Sequence, residues 1–215
     1  MKSKRHLPAL LLATAWLAAS IPAQAQHAAH AAGPEPNSLK VAQTSAALRD
    51  LWVGHIFWVR NVVIETLAGN TAAAATANNE VVANAKQLAA SIQPYYGQAA
   101  SDKLFGLLAG HYGAVKQYLD AGTDTAKQEA AVKALTDNAG EIATFLSGAN
   151  PNLPHDAVLG LLAAHGGHHV AQIQQLRAKQ YDAEAKTWEA MKGHMYTIAD
   201  TMAGAIAKQF PAKFS

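Results

Sequence analysis

Histidine is concentrated where the apolar patterning is strongest. Residues 165–169 read HGGHH, and single histidines stand inside LWVGHIFWVR at His55, LLAGHYGAV at His111 and MKGHMYTIAD at His194. Neutral imidazole is the commonest protein ligand for transition metals, so these positions raise a metal site as the first chemistry to consider. Cysteine is absent, which excludes thiolate sites, iron–sulfur clusters and cysteine nucleophiles. Four methionines are too few for a methionine-rich copper carrier. No H-E-x-x-H or paired E-x-x-H pattern occurs, so zincin and ferritin-like sites do not apply. P-loop, glycine-rich dinucleotide and G-x-S-x-G signatures are missing as well.

Internal repetition separates the members of HGGHH. Aligning LWVGHIFWVRNVV, LLAGHYGAVKQYL and LLAAHGGHHVAQI superimposes His55, His111 and His165, which are 56 and 54 residues apart. Aligning VVANAKQLAASI, LTDNAGEIATFL and MKGHMYTIADTM superimposes Asn84, Asn138 and His194, 54 and 56 residues apart. The sequence thus predicts three helical hairpins of about 55 residues, each with a histidine on its first helix and an asparagine or histidine on its second. One such unit cannot bury its apolar stripe alone, so the three must bundle or stack. Whether they close about one axis or splay is open at this point.

Residues three and four apart share a helix face. His55 follows Leu51, His111 follows Leu107 and Leu108, and His165 follows Leu161 and Leu162, so all three imidazoles face inward. Asn84, Asn138 and His194 are flanked by aliphatic residues in the same way. A buried polar group without a partner costs about 1–3 kcal/mol, and two arrangements avoid that cost. Each histidine pairs with the polar residue of its own hairpin, or the repeat gathers His55, His111 and His165 around a metal ion. In the second arrangement His194 completes the set, His169 adds a ligand one turn after His165, and Asp200 ligates or orients a histidine. Asn84, Asn138 and Arg60 then form the surrounding shell. Histidine in place of asparagine at position 194 favours metal. Imidazole donors suit Zn, Cu, Ni or Fe, and non-covalent haem between two facing imidazoles is a further cofactor class. The alternatives are a structural or interaction module with buried His/Asn pairs, and a hydrolase or transferase that uses a bound metal to activate water. Glu65 and Glu141 read as solvated helix carboxylates, and His168, at the place of Trp58, reads as a flanking contact.

These side chains need an all-α scaffold. Alanine-rich helical patterning begins at Leu39, and breakers divide it into helices over about 39–68, 71–92, 99–121, 124–147, 154–180 and 182–208. Pro94-Tyr95-Tyr96-Gly97 reads as a connection with the tyrosines packed over it. The expected architecture is a single six-helix domain over 39–215. Upstream, MKSKRH, LPALLLATAWLAAS and Ala23-Gln24-Ala25 form a secretory signal pattern over 1–25, with cleavage before Gln26 and a periplasmic or secreted product. Residues 26–38, QHAAHAAGPEPNS, read as a flexible tether, and His27 and His30 belong to it. The chain has 17 basic and 15 acidic residues; loss of Lys2, Lys4 and Arg5 leaves 14 against 15, a net charge of −1. No basic stripe for nucleic acid remains, and no stable membrane insertion is expected after cleavage. The expected partner is a metal ion or small ligand.

LWVGHIFWVR, VVANAKQLAASIQPYYG, LLAGH, NAGEIATFLSGANP and HMYTIADTMAGAIAKQFPAKF together cover nearly all of residues 48–214. On these segments the chain resembles a family of small exported bacterial all-helical proteins with an LWxxHxxWxR … NP … HxxxxAD … QFPxKF pattern. The resemblance implies histidine at 55, 111, 165 and 194, asparagine at 84 and 138, arginine at 60 and aspartate at 200. Gly166, His168 and His169 depart from that pattern, as does Val59, where threonine is usual. Members are sometimes labelled glycosyltransferases, but no DxD motif or α/β alternation accompanies that label here.

Overall fold

The computed structural model describes residues 37–215. The leader, His27, His30 and all but the last two residues of the expected tether lie outside that range. Among the described residues the chain is helical, with no strand. The long helices are α1 (Ser38–Leu67), α2 (Thr71–Ser91), α4 (Gln98–Asp120), α5 (Thr125–Ala149), α6 (His155–Arg177) and α7 (Tyr181–Gln209). A single turn, α3 (Gln93–Tyr96), follows α2, and a 3₁₀ turn, η1 (Pro211–Lys213), follows α7. The long helices match the six expected from sequence to within about three residues. The one-turn helix at Gln-Pro-Tyr-Tyr replaces an expected loop, because Pro94 falls in the first turn, where its missing N–H costs nothing.

Local chemistry sets the helix starts and stops. Asn37 Oδ1 accepts from Leu39 N (2.9 Å) and Lys40 N (3.3 Å), and Asp124 caps α5 through Lys127 N (3.1 Å). Gly69 ends the first hairpin turn with φ +75°, in the left-handed region that glycine enters without strain. Lys179 stands at the matching point between α6 and α7 with φ +56°, where a side chain is disfavoured. The turn hydrogen bonds are the same in kind: Asn70 N to Glu65 O (2.9 Å), and Gln180 N to Gln175 O (2.8 Å).

Packing order follows the chain. α1 lies on α2, α4 on α5, and α6 on α7; α2 then meets α4, α5 meets α6, and α7 returns to α1. The six long helices therefore close into one bundle, with α6 also touching α1 and α4. One end of the core holds Leu48, Trp52, Ile56, Leu108, Met191 and Met195; the other holds Val59, Val63, Val115, Tyr118 and Ile173. The QFPAKF tail seals the end near α3. Phe214 is buried and stacked on Tyr95, and the Tyr96 hydroxyl donates to Gln209 Oε1 (2.7 Å) while accepting from Asn150 Nδ2 (2.9 Å). No described helix is long and apolar enough to cross a membrane.

Candidate metal centre

The bundle brings four histidines together between its two apolar ends. His55 comes from α1, His111 from α4, and His165 and His169 from successive turns of α6. Each offers a ring nitrogen, and the four nitrogens lie within 4.8 Å of one another. His165 Nε2 and His169 Nε2 are 3.2 Å apart. Two nitrogens bound at about 2.0–2.1 Å to one tetrahedral ion would be separated by roughly 3.3 Å, so this edge already has ligand-like length. The rings of His111 and His165 stack at 5.2 Å, and that of His55 lies 5.7 Å from His165 and 5.8 Å from His169.

All four are almost wholly enclosed, at 1–3% exposure. Burial, reinforced by the His111 imidazole, lowers the His55 pKa to about 3. Burial lowers His111 to about 4, with the Asn138 side chain opposing part of that shift. Burial and the neighbouring imidazoles hold His165 and His169 well below the usual histidine value. The cluster is therefore neutral at pH 7, the protonation state that metal ligation requires. His55 Nδ1, both ring nitrogens of His111 and His165 Nδ1 have no hydrogen-bond partner, nor does the buried Trp52 indole N–H beside His55 and His165. Buried polar atoms are rarely left unpaired, and here four of them belong to three of the clustered histidines.

The expected pairing within each hairpin takes a different form. Asn84 Nδ2 donates to Leu51 O (2.9 Å), Asn138 Nδ2 to Leu107 O (3.0 Å) and His194 Nε2 to Leu161 O (2.8 Å). Each carbonyl lies four residues before a cluster histidine, so it also receives that histidine's own helical N–H. The side-chain N–H of each second-helix residue thus clasps the backbone carbonyl beneath a cluster histidine. Close approach needs a small residue before the histidine. A Cβ on Gly110 would lie 3.0 Å from Asn138 Nδ2, and one on Gly54 3.2 Å from Asn84 Nδ2.

Two expected ligands are not brought to the cluster. His194 occupies the place of Asn84 and Asn138, half-buried, with its Nε2 committed to Leu161 O and its ring 5.7 Å from His168. Asp200 is bound at the surface by Arg49, whose Nε lies 2.8 Å from Oδ1, and that guanidinium lowers the carboxyl's pKa. Arg60 does not face an open anion site. Its Nε and Nη2 donate to the two oxygens of Glu184 (2.6 and 2.7 Å), and it lies over Trp188. Glu184 is buried and also accepts from Gln172 Nε2 (3.0 Å); sequence reasoning passed it over because an acid in the first turn of a helix is ordinary. Asn84 and Asn138 hold the carbonyls of Leu51 and Leu107, four residues before His55 and His111.

Haem does not fit this arrangement, because four ring nitrogens within 4.8 Å of one another leave no room for a porphyrin between any two of them. The apolar cavity beside the cluster, floored by Trp52, Leu108 and Leu162, has a volume of about 40 Å³. Pockets for cofactor-sized ligands run to roughly 300–1,000 Å³. Comparison with family models, with curated proteins and with solved structures finds no match.

Proposed function

We propose that this chain is a metal-binding protein in which His55, His111, His165 and His169 hold one transition-metal ion. The reading is carried by four buried, neutral imidazoles from three helices that each bring one ring nitrogen within 4.8 Å of the others, with His55 Nδ1, both nitrogens of His111 and His165 Nδ1 lacking any hydrogen-bond partner. Four protein donors complete a tetrahedron and leave no position for water, the pattern of sites that hold a metal rather than activate a nucleophile. The reading includes three copies of one hairpin unit, supported by the alignment of the two polar positions and by the three like clasps onto Leu51, Leu107 and Leu161. It also includes membership of the exported helical family and a periplasmic or secreted location, supported by the sequence segments and the leader pattern.

Elemental analysis of full-length protein purified without a histidine tag tests the central claim. One ion per chain is expected, and none in H55A. If no ion co-purifies or binds with micromolar affinity, and H55A merely loosens the fold, the metal reading fails. The three backbone clasps favour a second reading, in which the polar residues only specify packing. In that case H55L would lower stability, with no metal effect on wild type.

A further inference from the structure

The ligand set carries no charge, and its surroundings supply none. Histidine binds a metal as a neutral imidazole, and all four donors here are histidine. Glu184, the one buried carboxylate among the described residues, is held at both oxygens by Arg60. Asp200 is engaged at the surface by Arg49. One turn before the cluster stand Trp52, Leu108 and Leu162; one turn after stand Val59, Val115 and Ile173, all buried. An ion entering this site keeps its full charge in an apolar interior, and the cost of removing its hydration rises steeply with that charge. A three-histidine zinc site relieves the problem by binding a water that ionises at its open position. Here His169 fills that position.

We propose that the site selects a monovalent ion, cuprous copper, over Zn(II), Ni(II), Fe(II) and Cu(II). The proposal rests on the metal-binding reading above. Geometry agrees with it. The filled d shell of Cu(I) imposes no preference against a tetrahedral set, whereas Cu(II) and Ni(II) favour square-planar or tetragonal arrangements. Zn(II) would fit the shape equally well, so charge is the discriminating property. His169 stands where the first two hairpins have Val59 and Val115, so this one substitution converts an open three-imidazole site into a closed one.

The test is competitive titration of the full untagged chain, stripped of metal. Cu(I) is supplied anaerobically against a chromophoric Cu(I) chelator, Zn(II) and Co(II) against a divalent chelator, and Ag(I) serves as a redox-inert monovalent probe. One Cu(I) per chain is expected, bound at least about 100-fold more tightly than Zn(II), with Ag(I) displacing Zn(II). H169V opens the fourth position, so the preference for Cu(I) over Zn(II) is expected to fall at least about tenfold. Zn(II) or Co(II) binding as tightly as Cu(I) overturns the monovalent assignment and leaves the metal site standing. Equal loss of both ions in a folded H169V overturns the charge argument, and binding of no ion at all overturns both readings.

Discussion

A buried imidazole whose two nitrogens lack hydrogen-bond partners costs stability at those atoms, and His111 is such a group. Its retention makes sense if something outside the chain uses the nitrogen. H111L should therefore raise the stability of the metal-free protein by about 1–2 kcal/mol and abolish metal uptake. Urea unfolding of stripped protein, together with elemental analysis, checks both halves; a loss of stability in H111L would assign the ring to packing. Spacing in the sequence identified His55, His111 and His165 because the same inward position recurs in three units, and His169 because it lies one turn from His165. The same alignment put His194 beside Asn84 and Asn138, and its residue type then led to a ligand assignment. Position was the better guide. The clasp onto Leu161 needs only an N–H, which histidine supplies as well as asparagine. The partners of Asp200 and Arg60 lie 151 and 124 residues away in sequence, so no local pattern reveals them.

Helix limits were legible because they are written in local chemistry: caps at Asn37, Asn70 and Asp124, and left-handed turns at Gly69 and Gly122. Closure of the six helices was not, since it depends on α7 reaching α1 rather than on any one segment. Two sets of substitutions probe this level. Gly106 and Gly110 both lie in α4, and alanine in a helix interior gains about 0.5–1 kcal/mol over glycine. A Cβ at Gly106 meets nothing within 4 Å, whereas one at Gly110 crowds the Asn138 amide at 3.0 Å. G106A should stabilise, and G110A should fall short of it by about 1 kcal/mol, the worth of one strained hydrogen bond. Equal urea midpoints would mean that the clasp yields freely. At the α6–α7 turn, K179G relieves the left-handed strain of about 1–2 kcal/mol, offset by the greater freedom of unfolded glycine. A net gain of a few tenths to about 1 kcal/mol is expected in the same measurement.

The closed bundle makes the histidine cluster an acid-sensitive centre for the entire fold. His55 has a folded pKa of about 3 and His111 of about 4, and His165 and His169 lie well below the ordinary 6.5. Above pH 6.5 these groups are neutral whether the chain is folded or not, and they make no difference to stability. Below 6.5 the unfolded chain takes up protons that the folded chain refuses, so stability falls with pH. Each such group adds a slope of about 1.4 kcal/mol per pH unit. For His111 the loss is complete near pH 4, and for His55 near pH 3. Half-buried His168, lowered by desolvation and by His194, adds in the same direction. With overall stabilities commonly about 5–15 kcal/mol, four such groups acting together should unfold the metal-free protein at a pH between about 4 and 6. A bound ion occupies the same nitrogens that acid must protonate, and a ligand present at about 100 times its dissociation constant adds roughly 2.7 kcal/mol. Loading should therefore move the acid transition to lower pH and raise the melting temperature at pH 7. Circular dichroism melts at pH 7.5, 6.0 and 5.0, with and without metal, check both. A melting temperature unchanged between pH 7.5 and 5.0 in the stripped protein would mean that the four imidazoles are not held neutral inside the bundle.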